Sequence, residues 1–202
     1  MPPPLPCAPH TATCPQAPVE EKVAPLVDCV QRLSEENKRL HRKVDELEMY
    51  SRRSCVRVFG VPEDKKDTDA VIHEIAKKLD VPLEKSELVV SHRVGKVDKS
   101  KPRPIIARIS NYGARHSLIK GSKNLSKIEG MSGWSVNQEL TKSRSKVAYE
   151  ARQLVKARIA KSSFIWDGKI FVVDHQDRKH LLVCLDDLIN LKKVLSGEVN
   201  AP

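Results

Sequence analysis

Leu26, Leu33, Leu40 and Leu47 fall seven residues apart, and Val23, Val30, Asn37 and Val44 precede each of them by three. This is the a/d seam of a heptad repeat with one polar a position, and it predicts a coiled coil over residues 23–53 that associates in parallel with copies of itself. Pro25 suits a first helical turn, and the seam fades near Tyr50, beyond which no leucine occupies the next d position. Valine at a with leucine at d favours two strands, and Asn37 fixes register at some cost in stability. Across a parallel interface Glu36 meets His41 and Lys43 meets Glu48. A single amphipathic helix docked on its own domain is the competing reading, and four leucines in strict register weigh against it.

After the seam the period changes to two. Ser54 to Pro62 alternates, is rich in β-branched residues, and reads as a strand closed by Gly60 and Pro62. Asp67 or Thr68 can cap a helix whose apolar face is Val71, Ile72, Ile75, Ala76 and Leu79. Leu88 to Val94 and Pro104 to Ser110 read as strands joined by a flexible basic loop from Gly95 to Arg103. Tyr112 to Leu125 reads as a helix weakened by Gly113 and Gly121, and Gly133 to Asn137 as a fourth strand. The order βαββαβ over residues 54–138 predicts the ferredoxin-like arrangement that RRM domains use, a four-stranded sheet with two helices on one face. If Val56 and Val58 point to the helices, Arg57 points to the open face. The inward set Ile105, Ala107 and Ile109 likewise turns Arg108 outward, beside Arg57 on the neighbouring central strand.

Residues 139–196 form a further small α+β module. A helix over residues 140–161 uses Leu140, Val147, Leu154, Val155 and Ile159 as its apolar set. Phe164 to Val172 reads as a hairpin turning at Asp167-Gly168, and Asp177 to Leu195 as a closing helix with Leu181, Leu182, Leu185, Leu188, Ile189 and Leu191 inward. Eight of the thirteen prolines lie in residues 1–25, so residues 1–22 are expected to be a disordered or polyproline-like arm, and 197–202 a tail. The fold class is α+β.

Charge sharpens the picture. The chain has 202 residues and a net charge of +10, yet residues 92–161 alone hold seventeen Lys or Arg against Asp98, Glu129, Glu139 and Glu150, a net of +13. Spread over strands, a loop and a helix, such concentration is the footprint of polyanion binding. The five cysteines form no CxxC pair and are odd in number, which fits reduced thiols in an intracellular protein. No apolar run is long enough to span a membrane, and the residues after Met1 do not form a signal-peptide pattern. A bZIP reading fails because the basic block follows the seam and is broken by Pro62, Pro82, Pro102 and Pro104. Walker, GxSxG and HExxH motifs are absent, so neither an enzymatic activity, a metal nor a nucleotide cofactor is expected.

Four stretches then support a family name. They are Tyr50 to Glu63 (YSRRSCVRVFGVPE), Ser91 to Gly95 (SHRVG), Lys101 to Arg108 (KPRPIIAR) and Asn137 to Thr141 (NQELT). In this spaced arrangement the chain, from about Val23 to Leu195, resembles the first-open-reading-frame proteins of LINE-type non-LTR retrotransposons. The resemblance implies a coiled coil, an RRM-like domain and a C-terminal domain. Together these would bind single-stranded RNA, or DNA, coat the element's transcript and act as a nucleic-acid chaperone in a cytoplasmic or nuclear ribonucleoprotein. It also implies trimers, whereas the seam residues favour dimers. By position Arg57, Arg93, Arg103 and Arg108 match basic places in the family's motifs. With Arg52, Arg53, Lys101, Arg115, Lys142 and Arg144 they form the candidate nucleic-acid-binding set. One departure concerns aromatics: Pro104 to Ser110 has none and the first strand only Phe59, so base stacking on this sheet should contribute little. A coiled-coil scaffold without a nucleic-acid role is the alternative.

The seam generates the first prediction. Residues 20–54 should drive self-association, and Leu33→Pro should abolish it; a concentration series in sedimentation velocity that finds the intact chain monomeric throughout would refute the seam.

Overall fold

A computed structural model describes residues 17–98, 100–195 and 197. The chain divides into two compact units, residues 1–41 and residues 42–202, with the boundary inside the first helix. That helix, α1, spans Ala17–Arg52. Of the arm expected over residues 1–22, residues 1–16 lie outside the described residues, and the rest is already helical, which corrects the expectation of disorder there. Pro25 is therefore interior to α1 and not in its first turn; it removes one i to i−4 hydrogen bond that the surrounding turns tolerate. Within the first unit, Arg39 pairs with Glu36 at 3.3 Å, and His41 Nδ1 donates to the Asn37 carbonyl at 2.8 Å. Val23, Leu26, Val30, Leu33, Leu40, Val44 and Leu47 are all exposed along α1.

The second unit begins with a four-stranded antiparallel sheet. Its elements are β1 (Cys55–Phe59), α2 (Thr68–Lys78), β2 (Leu88–Arg93), β3 (Ile105–Ile109), α3 (Tyr112–Gly121) and β4 (Ser135–Gln138). The strand order β2-β3-β1-β4 makes β1 and β3 the central pair, the order expected of the ferredoxin-like arrangement. Asp67 caps α2 by accepting the Ala70 N–H at 3.0 Å, and Asn111 caps α3 by accepting that of Ala114 at 3.1 Å. Both helices cover one face of the sheet. Val56 and Val58 of β1, and Ile105, Ala107 and Ile109 of β3, pack there against Ile72, Ile75 and Leu118. The second helix is shorter than its apolar pattern suggested: after Gly121 the chain tightens into a 3-10 turn over Ser122–Lys127, which buries Leu125 completely.

A second, three-stranded antiparallel sheet follows α4 (Lys142–Lys156). Its strands β5 (Ser162–Trp166), β6 (Lys169–Val173) and β7 (Lys179–Leu182) lie in that order, and α5 (Leu185–Leu195) ends the described elements. Asp167 and Gly168 both take positive φ, 46° and 75°, as the two-residue turn requires. Val147, Ala151 and Leu154 of α4 and Leu188 and Leu191 of α5 pack against Ile170, Val172 and Leu182.

The closing helix expected from Asp177 is corrected. Its first half is β7, because Asp174 folds the chain back: its carboxylate accepts the N–H groups of Gln176 and Arg178, each at 2.9 Å, and the side chains of Arg178 and His180. Burial alone would raise the Asp174 carboxyl, but these hydrogen bonds outweigh it and hold the group well below the usual carboxylate range. Residues 179–182 then alternate, with Leu181 outward and Leu182 inward, and Ile189 on α5 is exposed, so neither Leu181 nor Ile189 serves the core as expected.

One close approach controls the end of β1. A Cβ on Gly60, which sits at φ +84°, would lie 2.2 Å from the Gly133 carbonyl oxygen. Gly60→Ala should therefore cost about 3 kcal/mol or more in urea unfolding, because backbone must move. Gly95→Ala, with nothing within 4 Å, should cost only about 1–2 kcal/mol of left-handed backbone strain.

Candidate nucleic-acid interface

The face of the four-stranded sheet away from α2 and α3 is built by the outward residues of each strand. Arg57 stands opposite Ile106 on β3 and Asn137 on β4, and Arg108 stands opposite Cys55 on β1 and Val90 on β2. The two arginines are thus diagonal neighbours on adjacent central strands, a separation of roughly 7–8 Å between such positions.

They are not equivalent. Arg57 is held by Glu139, donating from Nε to Oε2 at 2.5 Å and from Nη2 to Oε1 at 2.7 Å. Glu139 is itself buried, and its Oε1 also accepts from Arg52 Nη1 at 3.0 Å. Arg52 also lies 3.7 Å from Glu48, so two guanidinium groups meet two carboxylates here, with Arg57 a third exposed on the sheet face. Arg108 is exposed and, like Lys101 and Lys142, has no hydrogen-bond or ion-pair partner among the described residues. Arg53 is exposed and lies over the Tyr50 ring, 5.3 Å from its centroid.

Four other candidates are engaged with the protein's own groups. Arg93 is almost covered, and its guanidinium donates to the carbonyls of Val61, Pro62, Lys65 and Arg103, stapling the loop after β1 to the strand before β3. Arg103 grips Glu63: the backbone N–H donates to Oε1 at 2.6 Å and Nη2 to Oε2 at 3.0 Å. Arg115 is 2% exposed, donates from Nε to the Cys55 carbonyl at 3.3 Å, and burial pulls its guanidinium pKa down. Arg144 binds Asp45 on α1 at 2.6 Å and the Gly168 carbonyl at 3.0 Å. The same carboxylate of Asp45 accepts from Thr141, the cap of α4. The candidate set therefore divides into an outward group (Arg53, Lys101, Arg108, Lys142), a bridging group (Arg52, Arg57, Arg103) and an inward group (Arg93, Arg115, Arg144).

Beside Arg57 the open face meets α4 in a cavity of about 420 Å³, lined by Phe59, Asn137, Ser145, Arg152 and Ile165. Gln138 joins its two walls, accepting the Gly168 N–H at 2.7 Å and donating to the Ile165 carbonyl at 3.4 Å. Arg152 was missed by motif reading; its signal was the cationic excess of the helix. Glu139 was missed as organiser, for it stood as one of four acids within a basic run and as part of the NQELT stretch, with no sign of its partners Arg52 and Arg57. The cavity offers a fixed cation, a second cation on α4, an amide and a half-exposed ring, donors suited to phosphate and to a base edge or face. Among the described residues no group of three His, Cys, Asp or Glu could hold a metal, and no helix is long and apolar enough to cross a membrane. No family model and no curated protein matches the chain.

The Arg103 clamp lowers the Glu63 pKa from 4.5 to about 2, first through the Arg103 side-chain hydrogen bond and then through its backbone N–H. A depressed carboxylate stabilises the fold above its unfolded pKa and loses that contribution as pH falls through the folded value. Chemical denaturation should show the contribution of Glu63 lost between about pH 4.5 and pH 2, a component absent from Glu63→Gln; identical profiles for both proteins would refute the clamp.

Proposed function

We propose that the chain is a single-stranded RNA-binding protein that works as a parallel homo-oligomer, of the kind encoded by the first open reading frame of LINE-type retrotransposons. The observation that carries this reading is Arg108, exposed, without a partner among the described residues and within a segment of net charge +13, beside the Glu139-anchored Arg57 on the open sheet face. The four-stranded unit, with central β1 and β3 and both helices on one side, supports an RRM-like domain in which the open face carries the ligand. Exposure of the whole leucine and valine seam of α1 supports a coiled coil, since an unpartnered apolar stripe of that length calls for a second helix. On this reading the protein coats an RNA, and DNA single strands bind by the same contacts. It acts as a chaperone without cofactor or catalysis, inside a cytoplasmic or nuclear ribonucleoprotein.

The second reading, an oligomeric scaffold with no nucleic-acid role, rests on the same seam. Retention on single-stranded RNA at moderate salt separates the two.

Titrations with unrelated RNA sequences over a range of salt test the mechanism. With five or six phosphates neutralised per protomer, log K should fall against log salt with a slope of roughly −4. Arg108→Ala should weaken unrelated RNAs by a common factor and make the slope shallower by about 0.7. Phe59→Ala should matter less than Arg108→Ala. Affinity that hardly responds to salt, with Arg108→Ala silent, sinks the electrostatic mechanism.

A further inference from the structure

The chain has only eight Phe, Trp and Tyr residues, and the burial of just one of them, Trp134, is unusual for side chains that normally dominate a core. Four of the others gather away from the sheet face described above. On the side of the three-stranded sheet opposite α4 and α5, Phe164 of β5, Phe171 of β6 and Leu181 of β7 stand directly across from one another. The rings of Phe164 and Phe171 are stacked, with centroids 5.1 Å apart and planes 15° from parallel. Trp166, two residues along β5 on the same side, is 53% exposed and continues the row. His116 meets its ring edge-on at 5.1 Å and stacks on Tyr112 at 6.2 Å.

The charges around this row select its occupant. Lys169 stands opposite Trp166, and Lys179 lies on the same side opposite Val173, which is in turn opposite Ser162. Both lysines are exposed and without an ion-pair partner among the described residues, and no outward position of the three strands carries an acid; of the acids in the adjoining turns, Asp174 is buried against Arg178 and His180, Asp177 is paired with Lys161, and Asp167 follows Trp166. Flat exposed rings between unpaired cations suit a ligand with π-faces on a polyanionic backbone. An apolar protein surface would leave Lys169 and Lys179 desolvated without partners.

We propose that the outer face of the three-stranded sheet is a second single-strand site, at which Trp166 and Phe164 stack on successive bases while Lys169 and Lys179 hold phosphates. The inference rests on the nucleic-acid reading above and deepens it. The four-stranded face is poor in aromatics and binds through charge, and the stacking contribution comes from this other sheet.

The test compares the full chain binding oligo(U) with its binding to a sugar-phosphate chain of equal length that carries no bases. Oligo(U) should bind more tightly and quench Trp166 fluorescence, while the base-free chain should bind without quenching. Trp166→Ala and Phe164→Ala should each lower affinity for oligo(U) by about tenfold and leave the base-free chain unaffected. Trp166→Phe should keep the affinity and lose the quench, because Trp134 is buried, and so covers the case in which an alanine variant fails to fold. Equal affinity for both ligands, no quenching and silent alanine variants overturn the second site while leaving the proposed function intact. No binding of either ligand at low salt ends the function reading and this inference with it. A change of sedimentation coefficient in Trp166→Ala without any change in oligo(U) affinity assigns the face to a second copy of the chain and overturns the proposal.

Discussion

One buried carboxylate holds the second unit together. Glu139 leaves the end of β4 at the point where the chain passes from one sheet to the helix that starts the other, and it receives Arg52 from the base of α1 and Arg57 from the centre of the first sheet. An ionised carboxylate with 1% of its surface in water is tolerable only when its oxygens are fully used, and here two guanidinium groups use them. Two residues on, Thr141 caps α4 and donates to Asp45, which also takes Arg144. Within a few residues of chain the helix base, the central strand and the first turn of α4 are thus fixed by charge and hydrogen bonds, and Gln138 adds the turn of the second sheet. The cavity beside Arg57 exists because these four elements meet there.

Much of this architecture was legible, for reasons that differ element by element. The helix α1, the alternation in β1 and β3, and the Asp167-Gly168 turn are local patterns set by the periods of helix and strand and by the φ values the turn demands. The strand β7 was not legible, because Leu181 and Leu182 fit a helical stripe continuing to Leu191. What breaks that stripe is Asp174, a lone acid whose hydrogen bonds to Gln176 and Arg178 form only once the chain has turned. The start of α1 was misjudged for a related reason: proline density argues against order residue by residue, but helix propagation carried the element back to Ala17.

The candidate site shows where a single sequence loses resolution. Arginine reads alike whether it faces solvent or staples a loop, so Arg93 and Arg115 entered the set beside Arg108. Only tertiary contacts separate them. Arg93 answers four carbonyls, and Arg115 lies under β1 with Nη2 unpartnered. The charge excess of residues 92–161 therefore overstates the charge available to a ligand. Part of it neutralises Glu63 and Asp45, acids outside the segment, and the remainder is gathered on Arg108, the lysines and α4.

The tether on Arg57 also bears on the order in which an anionic ligand would be captured and seated. A free lysine such as Lys101 or Lys142 samples many rotamers and surrenders that freedom when it grips a phosphate, at a cost of about 0.5–1.5 kcal/mol for each such side chain. Arg57 surrendered its freedom when the protein folded, because Glu139 fixes the plane of its guanidinium. On the proposed RNA-binding reading, mobile lysines would reach farther and make first contact; the immobile arginine would add little to capture but impose no further ordering penalty once the backbone arrived. Residence time, more than encounter rate, would then be the quantity that the Glu139 tether governs.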